Sequence, residues 1–197
     1  EGIKLLTLNY FTDQVDIKLV VATNQPAVAR GYFGTDRVDE ITSAINNLLI
    51  QSGGRIDNWQ YCPFVSKEYA TKKGIPLESP WVKETDLRKP CIGMLREASI
   101  QLGFKLDDYV ATYFVGDRAD DVKTGLNLSG TGVFIDSGIF GEQEKVHTLQ
   151  NSYGYDICVC NSFEDFVGLI AADIVMYGDP TIDVSKQIRI LHGLDMK

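Results

Sequence analysis

Apolar residues along this chain fall into two alternating kinds of run. "IKLVVATNQ" (Ile17 to Gln25) is a β-branched stretch that stops at polar residues, as a buried strand feeding a loop does. "PAVARGYFG" reads as that loop, punctuated by Gly31 and Gly34. From Thr35 or Asp36 to Ile50, "TDRVDEITSAINNLLI" carries Val38, Ile41, Ile45, Leu48 and Leu49 at helical spacing behind a capping residue. "NWQYCPF" is a short strand. "KPCIGMLREASIQLGF" is a helix that starts near Pro90 or Cys91 and ends before Gly103. Then come a strand in "YVATYFVGD", a helix in "DDVKTGLNLSG" closing at Gly130, and a strand in "GTGVFIDSG". Last are a strand in "YDICVCN" and a helix in "SFEDFVGLIAA", capped at Ser162.

Strands alternating with helices at this spacing predict an α/β domain with a mostly parallel sheet. In such sheets ligands bind beyond the carboxyl ends of the strands. Residues 66–87 are polar, hold two prolines and show little periodicity, so they read as a surface insertion or small cap. The main domain is expected over 1–172, with 173–197 as a C-terminal extension in which "IVMY" is an edge strand and "SKQIRILHGL" a short helix.

Composition narrows the function classes. The 197 residues are 44% hydrophobic and 23% charged, ordinary for a globular domain. A net charge of −8 argues against a nucleic-acid binder, which needs basic surface to displace counterions. No apolar run reaches membrane-spanning length and no signal peptide is legible, so no membrane partner is expected. Cys62, Cys91, Cys158 and Cys160 are sparse and unevenly spaced, which predicts free thiols, a reducing compartment and a cytoplasmic location. Strand alternation puts Cys158 and Cys160 on one face, as core thiols.

Two predicted strands end in conspicuous polar signals, Thr23-Asn24-Gln25 and Gly116-Asp117, and both point at one crevice. Arg88 and Lys89 stand just before a helix. Asp117, with Asp120 or Asp121, offers oxygen ligands to a hard cation such as Mg²⁺. Asp120 and Asp121 also suit a helix N-terminus, where the backbone dipole favours carboxylates. A hydroxyl, a lysine and a carboxylate-bound cation are the parts that neutralise a phosphoryl group during transfer.

"VVATNQPAVARGYF", "RKPCIGML" and "FVGDRADDVKTGLNLSG", in that order, resemble the haloacid dehalogenase superfamily of phosphatases. The closer likeness is to its histidinol-phosphate and heptose-1,7-bisphosphate phosphatase branch. The resemblance covers roughly Leu19 to Phe163 and implies a Rossmann-like three-layer fold. It implies that Thr23 bonds the transferring phosphoryl oxygen, that Asn24, Gln25 and Pro26 line the same loop, and that Lys89 stabilises the charge on the phosphoryl group. It further implies that Arg88 and Arg118 meet substrate, that Asp117 binds Mg²⁺, and that Asp121 supports the metal from one turn on. The substrate implied is a small phosphorylated sugar or polyol, hydrolysed through an aspartyl-phosphate.

The chain also departs from the family pattern. The nucleophile and general acid of that family form a D-x-D motif on a first strand, N-terminal to Thr23. Here "EGIKLLTLNYFTDQVD" reads as the helix after such a strand, and Asp13 and Asp16 are wrongly spaced. The first strand and its D-x-D are therefore expected to be missing, and these 197 residues on their own to be inactive. A return of the nucleophile at Asp179 is disfavoured, because Asp179 and Asp183 lack D-x-D spacing and Asp179-Pro180 suits a turn. The branch's zinc knot is not expected, since Cys62 alone remains of its ligands and a structural zinc takes four. Two rival readings stand beside the enzyme. One is a non-catalytic domain that binds a phosphorylated ligand or a protein. The weaker is a polynucleotide 3′-phosphatase, which the acidic charge opposes.

Overall fold

A computed structural model describes residues 16–109, 111–153 and 156–177, with side chains to residue 171. In chain order the elements are β1 (Val20–Asn24), α1 (Pro26–Ala29), α2 (Thr35–Gln51), β2 (Asn58–Cys62) and α3 (Lys67–Lys73). They continue with α4 (Gly93–Leu102), β3 (Tyr113–Gly116), α5 (Ala119–Asn127), β4 (Thr131–Ile135), α6 (Glu142–Tyr153), β5 (Ile157–Cys160) and α7 (Phe163–Tyr177). Every strand pairing among the described residues is parallel. The strands form a two-stranded sheet, β1-β2, and a three-stranded sheet, β3-β4-β5.

Side-chain alternation sorts the core into two faces. On one face Ala22, Cys62 and Phe114 pack with Met94 and Leu95 of α4. On the same side Phe134 and Ile157 pack with Ala119 and Val122 of α5 and Val146 of α6. The opposite face joins Leu19, Val115, Val133 and Cys160 to Phe166, Val167 and Ile170 of α7. Helices therefore cover both faces, giving the three-layer α/β architecture that the alternation of elements predicts. Both large clusters take side chains from the β1 region and from β3, so the two sheets share one core. Val122, Val133 and Phe134, at 0–1% exposure, mark its centre.

Several local expectations change. The stretch after β1 is not all loop: Pro26 starts the short helix α1, since proline's fixed φ and missing N–H suit a first helical turn. The N-cap of α2 is Gly34 and makes no side-chain cap bond, so neither Thr35 nor Asp36 serves there. Residues 66–87 are more ordered than their polarity suggests. Ser66 caps α3 through the Tyr69 N–H (3.1 Å), and Val65 pairs with Val82. Ala29, Val65, Ala70 and Ile75 form a small buried cluster there with Trp81 packed against it. α4 begins at Gly93, after a turn at Cys91 whose N–H bonds the Arg88 carbonyl (3.0 Å).

Ser162 does cap α7, accepting the Asp165 N–H at 3.0 Å. That helix runs on to Tyr177, so "IVMY" is helical and no edge strand forms there. β5 places the Cys158 and Cys160 sulfurs 3.7 Å apart on one face, as thiols. Burial, with Cys158 beside it, pushes the Cys160 thiol up to about 12, so it stays protonated in the core. The helix read over Glu1 to Asp16 lies, but for its last residue, outside the described residues. So do the helix read in "SKQIRILHGL" and the turn at Asp179.

Candidate active site at the carboxyl ends of β1 and β3

β1 and β3 each end in a polar loop, and a chain of hydrogen bonds ties the two loops together. Asn24, the last residue of β1, uses its whole side-chain amide on the backbone of Lys89. Its Oδ1 accepts the Lys89 N–H (3.0 Å), and its Nδ2 donates to the Lys89 carbonyl (3.2 Å). A carboxamide is the short side chain that carries both a donor and an acceptor for such a clamp. Thr23 stands beside it, its Oγ1 accepting from Gln25 Nε2 at 3.3 Å. The Gln25 N–H bonds the Cys62 carbonyl (2.8 Å), which extends the β1-β2 ladder one residue into the loop.

Lys89, joined to Pro90 by a cis peptide, turns its ammonium toward β3. Its Nζ lies 2.7 Å from Asp121 Oδ1 and 5.2 Å from the centre of the Phe114 ring. Both side chains of the pair are nearly buried, at 13% and 8% exposure. The other carboxylate oxygen of Asp121 accepts the Arg118 N–H (3.1 Å), one of the orphan donors of the helix start. Asp121 therefore folds back over Gly116, and a Cβ at residue 116 would collide with its carboxylate. That contact explains the glycine ahead of Asp117. Both oxygens of Asp121 are engaged by protein donors, so it stands behind the Gly116–Ala119 loop rather than at its mouth.

Asp117 itself accepts from Ser137 Oγ on Oδ2 (3.0 Å). Among the described residues no cluster of three His, Cys, Asp or Glu side chains converges. Asp117 offers a hard oxygen of the kind Mg²⁺ takes, and that ion commonly keeps waters and substrate oxygens as its remaining ligands. The donor set thus fits Mg²⁺ bound through one protein carboxylate here. Cys62 is fully buried and within 3.7 Å of the Phe64 carbonyl; burial pushes its thiol up, against the pull of Arg88.

Arg88 faces the 66–87 segment. Its Nη1 donates to the Phe64 carbonyl (3.1 Å) and its guanidinium lies 5.4 Å from the Tyr69 ring centre. Arg118 is exposed at the rim. Pro26 opens α1 just beyond Gln25. The structure thus links Asn24, Lys89, Asp121 and the Arg118 N–H by hydrogen bonds, with Thr23 and Asp117 next to them in sequence, and leaves the side chains of Arg88 and Arg118 at the edge.

Two contributors carry no local signal in the sequence. Ser137 lies in the loop after β4. Glu142, buried in the first turn of α6, reaches across to the start of α5, where its Oε2 accepts the Ala119 N–H at 2.8 Å. Its Oε1 accepts from Lys145 Nζ at 2.7 Å. Burial alone would raise the Glu142 carboxyl. The bonds from Lys145 and Ala119, with the charges of Lys145 and Arg118, outweigh it and hold the group below the usual carboxylate range. The Gly116–Ala119 loop is therefore fixed from behind by Asp121 and from the side by Glu142.

Comparison with known proteins finds no family model that matches. The chain is 31% identical over 150 residues to a D-glycero-beta-D-manno-heptose-1,7-bisphosphate 7-phosphatase of Haemophilus ducreyi, covering 76% of this chain and 72% of that protein. The Haemophilus influenzae protein of the same name is 33% identical over 108 residues, 55% of this chain and 52% of its own. The chain spans little more than half the length of the Haemophilus influenzae relative and of the Photorhabdus laumondii protein of the same name, 52% and 58%. Among solved structures, a D,D-heptose 1.7-bisphosphate phosphatase from B. bronchiseptica, complexed with magnesium and phosphate, superposes with a TM-score of 0.61 at 22% identity. The superposition covers 86% of this chain and 82% of that one. A HAD-like phosphatase from Mesorhizobium loti gives the same TM-score and identity over 91% and 76%. Those two likenesses speak for the fold. Taken with the sequence relatives, they place this chain in the haloacid dehalogenase superfamily of phosphatases, in the heptose-1,7-bisphosphate 7-phosphatase branch.

Proposed function

We propose that this chain forms the phosphate-handling body of a Mg²⁺-dependent phosphoric monoester hydrolase acting on a small phosphorylated sugar, a heptose bisphosphate or a close analogue. The observation that carries the reading is the hydrogen-bond chain from Asn24 through Lys89 and Asp121 to the Arg118 N–H, which ties together the loops at the carboxyl ends of β1 and β3 where Thr23 and Asp117 stand next in sequence to its two ends. Thr23 would donate its hydroxyl to a phosphoryl oxygen. Lys89 would set a positive charge against the phosphoryl group, with Asp121 holding the ammonium in place until the ligand arrives. Asp117, oriented by Ser137, would hold the Mg²⁺, whose chemistry is to neutralise charge on phosphoryl oxygens. Gln25 and Pro26 would line the phosphate loop, and Arg88 and Arg118 would meet the rest of the substrate.

In the reaction a carboxylate oxygen forms a bond to phosphorus as the sugar C–O–P linkage breaks at phosphorus. The leaving oxygen takes a proton from a second carboxyl group. Water then cleaves the acyl phosphate, returning the carboxylate and releasing phosphate. The two carboxyl groups are the D-x-D pair, to be supplied ahead of β1. The test is to extend the chain at its N-terminus with a strand ending in D-x-D and to assay phosphate release with Mg²⁺ over heptose bisphosphate, histidinol phosphate and a panel of other monoesters. Turnover is expected, and Lys89→Ala should lower kcat/KM by about 10²–10³, the scale of one lost transition-state donor. Ester binding with no turnover across the panel would replace this reading with that of a phosphate-binding module.

A further inference from the structure

The Cys158–Cys160 pair on β5 has no part in the proposed phosphate chemistry. Both side chains leave the strand on one face, beside Val133 and Ile135 in the β4 register, and the two sulfurs lie 3.7 Å apart. Val159, between them, points the other way and is 49% exposed. Cys160 is 4% exposed, whereas Cys158 is only partly buried and can be reached from solvent. Val133, Ile135 and the Phe163 and Phe166 rings of α7 give the pair an apolar wall. Among the described residues no third His, Cys, Asp or Glu joins the pair in a metal-binding group.

This spacing excludes one partner and suits another. Residues two apart on a strand stand about 6.5 Å apart along it, while the Cβ atoms of a disulfide stand about 3.8 Å apart. The two thiols therefore cannot join to each other while β5 stays in the sheet. A single atom between them does fit. Sulfur bonds of about 2.3 Å, as zinc makes, hold two sulfurs about 3.8 Å apart at a tetrahedral angle. We propose that Cys158 and Cys160 form a dithiol site for a trivalent arsenical bearing one organic group, which bonds sulfur at a similar length. Zinc is a poor occupant. It takes thiolates and four ligands, and here burial, with Cys158 and the Asp165 charge nearby, keeps the Cys160 thiol protonated. The arsenical asks for neither. When an organoarsenic(III) oxide meets two thiols, two arsenic–sulfur bonds form and the bond to oxygen breaks. Both thiol protons leave with that oxygen as water. Arsenic stays trivalent, no electrons are transferred, and the product is neutral, as the apolar wall requires.

The probe is phenylarsine oxide, added to the full chain with a large excess of the monothiol 2-mercaptoethanol, and the intact mass is read. One phenylarsenic group per chain should be retained, and 1,2-ethanedithiol should strip it. Cys91 is exposed and stands alone, so it makes one arsenic–sulfur bond that the monothiol displaces. Cys62→Ala combined with Cys91→Ser should therefore leave retention unchanged. Cys158→Ser and Cys160→Ala should each weaken retention by about 10²–10⁴, the gain from making the second bond within one molecule. The wild-type chain supplies a readout that no substitution can disturb. Once the monothiol has been removed, Cys158 of the arsenical-treated chain should resist N-ethylmaleimide while Cys91 is still alkylated. Undiminished retention by Cys158→Ser, arsenic mapped to Cys62 or Cys91, or a maleimide-reactive Cys158 in the treated chain overturns the proposal.

Discussion

Asp121→Asn removes one charge and few atoms, and leaves the Lys89 ammonium nearly buried with no counter-charge. In the wild-type chain the pair is 2.7 Å long, with side chains 13% and 8% exposed. Breaking a buried pair by neutralising one partner costs about 3–5 kcal/mol, against about 0–1 for a surface pair. The asparagine can still accept the Arg118 N–H, so the low end applies, about 3 kcal/mol. For a chain of this size each kcal/mol moves the melting point by about 2–4 °C, so a drop of about 6–12 °C is expected. Urea unfolding should show a lower midpoint at unchanged slope. The effect should persist in high salt, because burial shields the pair from screening ions. Lys89→Met combined with Asp121→Asn removes both charges and should recover most of the loss, giving a coupling energy near the upper end of measured cycles, about 2–3 kcal/mol. A loss below about 0.5 kcal/mol for Asp121→Asn, or additive single and double mutants, would refute the claim that Asp121 exists to hold Lys89.

The bonds around that pair carry two more predictions. Asn24→Leu leaves the Lys89 N–H and carbonyl without their side-chain partner, which should cost about 1–3 kcal/mol in urea unfolding, whereas Asn24→Asp keeps the acceptor and should cost less. Glu142 titrates below the usual carboxylate range in the folded chain, so its contribution is present above its unfolded pKa and is lost as pH falls through the folded value. Glu142→Gln should therefore flatten the acid limb of the stability-versus-pH curve, read by thermal melts from neutral pH downward, and an unchanged acid limb would contradict it.

Much of this fold is legible from periodicity. The β-branched runs of β1 and β4, the helical spacing of α2 and the glycine that ends α4 each obey local rules. The features that escaped have identifiable causes. "IVMY" is a short apolar run, and such runs read equally as strand or helix until their neighbours decide; here α7 simply continues through them. α1 is one turn long, too short to show a period. α2 has the right spacing, yet Leu48 is 63% exposed, because periodicity reports the face and not what covers it. In the site, residue types at strand ends point to Thr23 and Asp117, and the basic pair before a helix points to Lys89. The partners that fix them did not show, because Asn24 and Lys89 are 65 residues apart and Lys89 and Asp121 are 32 apart. The amide of Asn24 looked like a ligand group, and its bonds turn out to lie on the Lys89 backbone.

One contact away from the chemistry bears on how the site can move. A Cβ on Gly125 of α5 would sit 2.7 Å from the Gly132 Cα of β4, so helix and strand meet backbone to backbone. No side chain lies between them to change rotamer and absorb a displacement. α5 is in effect welded to the sheet, and the loop carrying Asp117 inherits that stiffness. On the phosphatase reading proposed above, adjustment to different substrates would come from the other bank, where Arg88 lies over the Tyr69 ring of α3. Selectivity would then be tuned by editing residues 66–87, while the side proposed to handle phosphate would keep one geometry.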